Sequence, residues 1–264
     1  HIEMRIAVIS PHAQNNGNTT LAMLIGMQFA TTNKLTCMTH ILPQSNSFPK
    51  YLNFKGFVDK TSSPSQIVQI LKNGSLSASD VRDYCRPVST DLEAFTNDTS
   101  NFSKEDMMFM FKYIAKAFPH DNVIFDVDDD NFDTCSAVIE LCDVVVLNIT
   151  QSVTELSNFH AKRDEFLKLF EGKPVVVVVN KYNSVKQNFK EMAALMGLKK
   201  PTNWVTLHEN PLITWATNHG KLNILFKNIV KKDTRVIDVN ADLQKICKTL
   251  TTAKAEHDKK GRKS

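Results

Sequence analysis

Runs of β-branched residues that never alternate with polar ones constrain this chain more than any other feature. Val144–Ile149 and Val175–Val179 are the clearest, and Ile6–Ile9 and Asn122–Val127 are less pure relatives. A strand with one wet face alternates apolar and polar residues. An unbroken run means both faces are covered, as in a parallel sheet sandwiched between helix layers. The stretches between the runs read as helices, so strand and helix signals alternate along the chain. That alternation predicts a single doubly wound α/β domain with a mainly parallel sheet and helices on both faces, its ligand crevice at the carboxyl ends of the strands.

The expected elements are strands at 5–9, 35–41, 122–127, 144–149, 174–180 and 204–207. Helices are expected at 19–30, 65–72, 79–85, 105–117, 134–141, 153–170, 183–196 and, broken, 212–230. Ser103 is placed to cap the helix that ends before Pro119. At 264 residues, 42% apolar and 23% charged, the chain can bury a substantial core in one large domain. Residues 1–3 read as a cloning remnant, 4–239 as the α/β domain and 240–264 as a C-terminal helix with a basic tail. No apolar run approaches the roughly 20 residues that span a bilayer, and with no cationic, apolar segment before the first strand a secretory leader is not expected. Five scattered cysteines without a CxxC pair suggest neither a disulfide framework nor a zinc site, and imply reduced thiols in a cytoplasmic protein.

Between the first strand and first helix lies a polar loop, Ser10 to Asn18. Strand, loop and helix in that order bring backbone N–H groups and a helix N-terminus together, which makes an anion site. A nucleotide-binding loop also carries a lysine just before its Thr pair, to meet the β- and γ-phosphates. Here Asn18 occupies that position, ahead of Thr19 and Thr20.

Three further segments complete an ordered set: His40 to Asn46, at the exit of the second strand; Tyr113 to Asp126, with Leu141 to Leu147 after it; and Pro174 to Tyr182, which ends in Val179, Asn180, Lys181 and Tyr182. Together with Ala13–Thr20, this set resembles the ParA/MinD family of deviant-Walker ATPases, from about Met4 to about Val230. The resemblance implies the following roles. The family loop K-G-G-V-G-K-T-T puts Ala13 at the signature-lysine position, which reaches a dimer partner's phosphates. Gln14 and Asn15 stand for glycines, Gly17 is retained, and Asn18 replaces the main lysine. Thr19 falls at the Mg²⁺-ligand position and Thr20 at the phosphate contact. In the family's D-x-D-P-Q-x-N segment both carboxylates are replaced, by His40 and Leu42, while Pro43, Gln44 and Asn46 are kept. Asp126 matches the Asp that ends the third motif and is the second candidate metal residue. Asp128, Asp129 and Asp130 stand where the family has Pro-Pro-Gly. Asn180 matches the adenine-edge position, although Asn there also caps a turn, and Asn210 with Pro211 matches the base-side segment.

Losing two cations beside a run of acids disfavours a triphosphate, at on the order of 1–4 kcal/mol per unit charge at short range. The expectation is therefore a non-hydrolysing or weakly nucleotide-binding protein that localises, docks or partitions a larger assembly such as a pilus, flagellum, secretion or conjugation apparatus, or a plasmid. ATP or ADP with Mg²⁺ is the one cofactor the resemblance offers. Two alternatives stand beside it: an active Mg-ATPase with relocated groups (His40, or Asp128–Asp130 holding metal), and a non-specific DNA-binding partition factor. Protein partners, a nucleotide-independent homodimer, and DNA or membrane contact through the basic tail follow as partner expectations. The location is cytoplasmic, or peripheral at a membrane or cell pole. The C-terminal stripe of Leu243, Ile246, Cys247 and Leu250 fits packing on the domain better than a membrane anchor, since one short apolar face binds membranes only marginally.

Overall fold

The computed structural model describes residues 3–11, 17–40, 48–52, 64–74, 77, 80, 82–96, 103–127 and 131–261. Its strands are β1 (Met4–Ile9), β2 (Thr36–His40), β3 (Arg86–Ser89), β4 (Leu92–Thr96), β5 (Asn122–Val127), β6 (Val144–Ile149), β7 (Val175–Tyr182) and β8 (Trp204–His208). The helices are α1 (Asn18–Ala30), α2 (Phe48–Leu52), α3 (Pro64–Lys72), α4 (Lys104–Ala117), α5 (Phe132–Leu141), α6 (Val153–Ala161), α7 (Arg163–Leu169), α8 (Phe189–Leu195), α9 (Pro211–Asn218), α10 (Leu222–Val230) and α11 (Ile237–Gly261).

All eight strands join one sheet in the order β3-β4-β2-β5-β1-β6-β7-β8, and only the β3–β4 pair is antiparallel. The doubly wound fold expected from the Val/Ile runs is present. Strand β1 sits centrally, and its side chains divide between two cores. Ile6 and Val8 face α1 and α11, whereas Ala7 and Ile9 join Phe111, Ile114, Val138 and Ile139 from α4 and α5. Helix α1 is buried along its whole length because α11 covers the side turned away from the sheet. Four α11 side chains, Leu243, Ile246, Cys247 and Leu250, lie in that core. At about 1.5–3 kcal/mol for each large apolar side chain fully buried, this helix is integral to the domain. It begins at Ile237 and runs unbroken across position 240.

Local chemistry accounts for where the elements depart from expectation. The β3–β4 hairpin was not foreseen, because β4 carries a charged residue, Glu93, at a buried position. Its edge partner β3 contains Pro87, which a central strand excludes, and the ladder shifts register there. Residues 82–84 form a 3-10 turn in place of the end of the helix expected at 79–85. The helix expected at 153–170 breaks at Lys162, which leaves helical geometry (φ −110°, ψ 17°). The one expected at 183–196 starts only at Phe189, because Asn188 and Glu191 form a capping box. Ser103 caps α4 as expected, its hydroxyl accepting from the Asp106 N–H.

Candidate functional site

Helix α1 aims its N-terminus at the carboxyl ends of β1, β5 and β6, where the order of connections reverses and crevices form in such sheets. Gly17 precedes it in a left-handed conformation (φ +76°), and a Cβ there would come 3.1 Å from Asn180 Nδ2. Backbone and space both favour glycine at this position. Of the expected loop, Ala13, Gln14, Asn15 and Asn16 lie outside the described residues, as do Leu42, Pro43, Gln44, Asn46 and Asp128–Asp130.

The side chain of Asn18 turns into the sheet. Its Nδ2 donates to the Val8 carbonyl at 3.0 Å and to Asp126 Oδ1 at 2.8 Å, while its Oδ1 accepts from Asn148 Nδ2 at 3.4 Å. One amide thereby joins the first turn of α1 to β1, β5 and β6. The other carboxylate oxygen of Asp126 accepts from Thr19 Oγ1 at 2.6 Å and lies 2.8 Å from His40 Nδ1. An ionised carboxylate only accepts, so the Nδ1 proton points at Asp126. Strand register explains the meeting: Asp126 pairs with Val8 on one side and with His40 on the other. Asn18, Thr19, His40, Asp126 and Asn148 are all buried, with His40 at 1% and Asp126 at 3% exposure. The result is a buried polar network across four adjacent strands, held by charge-assisted hydrogen bonds in a low-dielectric setting.

Thr20 points elsewhere, with its hydroxyl 3.4 Å from that of Thr217 on α9. Beside it is a cavity of 220 Å³ lined by Gly17, Thr20, Tyr51, Asn180, Lys181 and Asn210, among others. That is below the ~300–1,000 Å³ usual for small-molecule sites. Asn180 lines it, but its Oδ1 accepts from the Lys181 N–H at 2.9 Å. This supports the turn through Lys181, whose φ is +51°. Pro211 is exposed at the first position of α9, where its missing N–H costs nothing, and its neighbour Asn210 faces the cavity.

Of the expected site residues that are described, all but Pro211 fall into two neighbouring groups: Asn18, Thr19, His40 and Asp126 in the buried network, and Gly17, Thr20 and Asn180 around the cavity. Sequence reasoning missed Asn148, Lys181 and Thr217. Asn148 was the detectable one, since it is the sole polar residue inside the run Val144–Ile149.

No family model matches this chain, and no curated protein aligns with it. Solved structures do share the fold. A ParA family ATPase from Chlorobium tepidum superposes with a TM-score of 0.67 at 16% identity, over 91% of this chain and 96% of that one. MinD from Pyrococcus horikoshii, complexed with Mg-ADP, gives 0.65 at 10% identity over 93% and 94%. An ATP complex of Cyanothece McdA gives 0.67 at 14% identity over 95% and 97%. At such identities the likeness establishes the architecture, that of the ParA/MinD P-loop NTPases.

Proposed function

We propose that this chain is a non-hydrolysing protein of ParA/MinD architecture that acts by docking: it localises or partitions a larger assembly and turns over no nucleotide. One observation carries the reading. The place where this fold implies a lysine and a Mg²⁺ ion is filled by a network of the chain's own groups, with both Asp126 oxygens taken by Asn18, Thr19 and His40. The described residues fit a Mg-bound triphosphate poorly. Asn18 is neutral and directs its amide at Asp126 and Val8. The adjoining cavity of 220 Å³ suits a base or sugar fragment at most. Phosphoryl transfer needs cations and metal held at the phosphates, and a side chain committed to the sheet supplies neither.

Isothermal titration of the full chain with Mg-ATP, beside a phosphate-release assay, tests this. The expected result is no micromolar binding and no turnover above background. Turnover lost on Asn18→Ala would overturn the proposal. A second reading, an ATPase with relocated groups, draws on the 2.6 Å contact between Thr19 and Asp126, the two residues to which the family resemblance gives metal contacts. It requires turnover that His40→Ala abolishes.

The partner side of the proposal is protein recognition, with any homodimer independent of nucleotide, and a pull-down from native cells identifies the cargo. No helix among the described residues is long and apolar enough to cross a membrane. The apolar stripe of α11 is already used in the core, which argues against that helix as a lipid anchor. Lys259 and Lys260 are exposed near its end. A DNA-binding role for them predicts retention on DNA that fades steeply with salt, whereas docking needs none.

A further inference from the structure

A second buried polar cluster lies at the opposite ends of the strands, away from the crevice. Cys37 is the second residue of β2, about 10 Å along that strand from His40 at 3.3 Å per residue. Cys85 occupies the bend before β3, and His120 precedes β5. The two sulfurs and an imidazole nitrogen lie within 4.8 Å of one another, and all three residues are buried. No other group of three His, Cys, Asp or Glu side chains with this geometry occurs among the described residues.

The histidine is held as metal-bound histidines are held. Its Nε2 lies 2.8 Å from Glu93 Oε2, and the other Glu93 oxygen receives Arg82. Glu93 is the register partner of Cys37, so β4 delivers the carboxylate beside the thiol. Nε2 is therefore committed to Glu93, while Nδ1 is buried with no hydrogen-bond partner. A buried imidazole nitrogen left unsatisfied costs about 1–3 kcal/mol, and a metal ion removes that penalty. A carboxylate that orients a histidine from behind is the usual outer shell of a zinc ligand. The Phe118 ring lies 5.5 Å from the imidazole and packs edge-on against Phe95.

We propose that Cys37, Cys85 and His120 form a structural zinc site that fastens the bend before β3 to the starts of β2 and β5. Zinc is the ion the chemistry selects. Two thiolates and a neutral imidazole balance a divalent charge, and Cys₂His is a borderline-soft donor set. Zn–S bonds of about 2.3 Å at tetrahedral angles separate two sulfurs by about 3.8 Å, so the cluster needs to contract by no more than about 1 Å. The fourth position falls to water or to a donor outside this trio. On binding, each thiol gives up its proton to solvent and the metal takes the freed lone pair, so one ion displaces two protons.

Cobalt titration of the reduced, metal-free full chain tests the site, with zinc competition against a chromophoric chelator. The expected result is one equivalent of Co²⁺ bound with a sulfur-to-cobalt charge-transfer band and release of two protons, the Co²⁺ then being displaced by Zn²⁺ with no further proton release. Cys85→Ser should remove the band. Cys85 lies at the outer side of the cluster, so circular dichroism is expected to report a folded variant, and His120→Asn provides a second route should it not. Glu93→Gln should keep the band and weaken zinc binding roughly 10–100-fold. Cys142→Ser and Cys247→Ser, at buried cysteines elsewhere in the core, should leave it unchanged. A reduced, folded wild-type chain with no charge-transfer band overturns the proposal. So does a band that persists in both Cys85→Ser and His120→Asn. Loss of two hydrogens by mass under mild oxidant, with no metal bound before it, would assign the two thiols to a disulfide instead and overturn it equally.

Discussion

Replacing Asp126 by Asn tests whether the crevice network is structural. The substitution keeps the shape and removes the charge. The carboxylate serves donors on both oxygens: Asn18 Nδ2 on Oδ1, Thr19 Oγ1 and His40 Nδ1 on Oδ2. An amide can keep its oxygen toward Thr19 and His40, but then sets its own NH₂ against the NH₂ of Asn18. Flipping the Asn18 amide relieves that clash, yet forfeits the bond to the Val8 carbonyl and turns a donor toward Asn148. One buried donor stays misplaced, at about 1–3 kcal/mol, and two charge-assisted bonds weaken to neutral ones, at about 1 kcal/mol each. Relief from burying a carboxylate returns part of this, for a net loss of about 2–4 kcal/mol. At about 2–4 °C per kcal/mol for a chain of this size, the melting temperature should fall by about 5–15 °C. Urea denaturation of wild type, Asp126→Asn, His40→Ala and the double variant forms a cycle whose coupling should be about 1–3 kcal/mol. A loss under about 1 kcal/mol, or additive effects, would refute the claim that these residues hold the four strands together.

Gly17→Ala should destabilise by about 1–2 kcal/mol, from left-handed backbone and contact with Asn180. Gly172→Ala, at a similar φ with open space around it, should cost only the backbone share, as denaturation midpoints will show. Leu243→Ala should cost about 2–5 kcal/mol, since α11 fills the core beside α1, and liposome flotation of the wild-type chain should show no membrane retention. Burial pushes the Cys142 and Cys247 thiols well above their ordinary value of 9.0. Above that pH the unfolded chain releases protons that the folded chain retains, so these two thiols together make stability fall by about 2.7 kcal/mol per pH unit. Cys142→Ala with Cys247→Ala should remove that part of the slope, read by denaturant titration at several alkaline pH values in reducing, metal-free buffer.

The sheet was legible because burial on both faces leaves a trace in one dimension. Residues between two helix layers are mostly apolar, so the runs at Val144–Ile149 and Val175–Val179 announced parallel strands. Elements held by long-range pairing left no such trace. Strand β4 was hidden by Glu93, which is tolerated in the interior only because Arg82 and His120 reach it. The loop outline was readable from the order of strand, loop and helix, and roles for Asn18, Thr19 and Asp126 were expected only from the resemblance to the ParA/MinD family. What the Asn18 side chain binds was not legible, since its partners lie on three strands far apart in sequence.

Chain order alone fixed the fold class and the position of the crevice, because local periodicity and buried runs record which faces must avoid water. Only the folded sheet decided which polar groups meet. Register set His40 and Val8 on either side of Asp126, and brought Cys37 to Glu93 and His120, which scattered cysteines without a CxxC spacing had not suggested. The physical reason is range: a hydrophobic pattern needs only its neighbours, whereas a buried charge or ligand needs specific atoms that chain separation conceals.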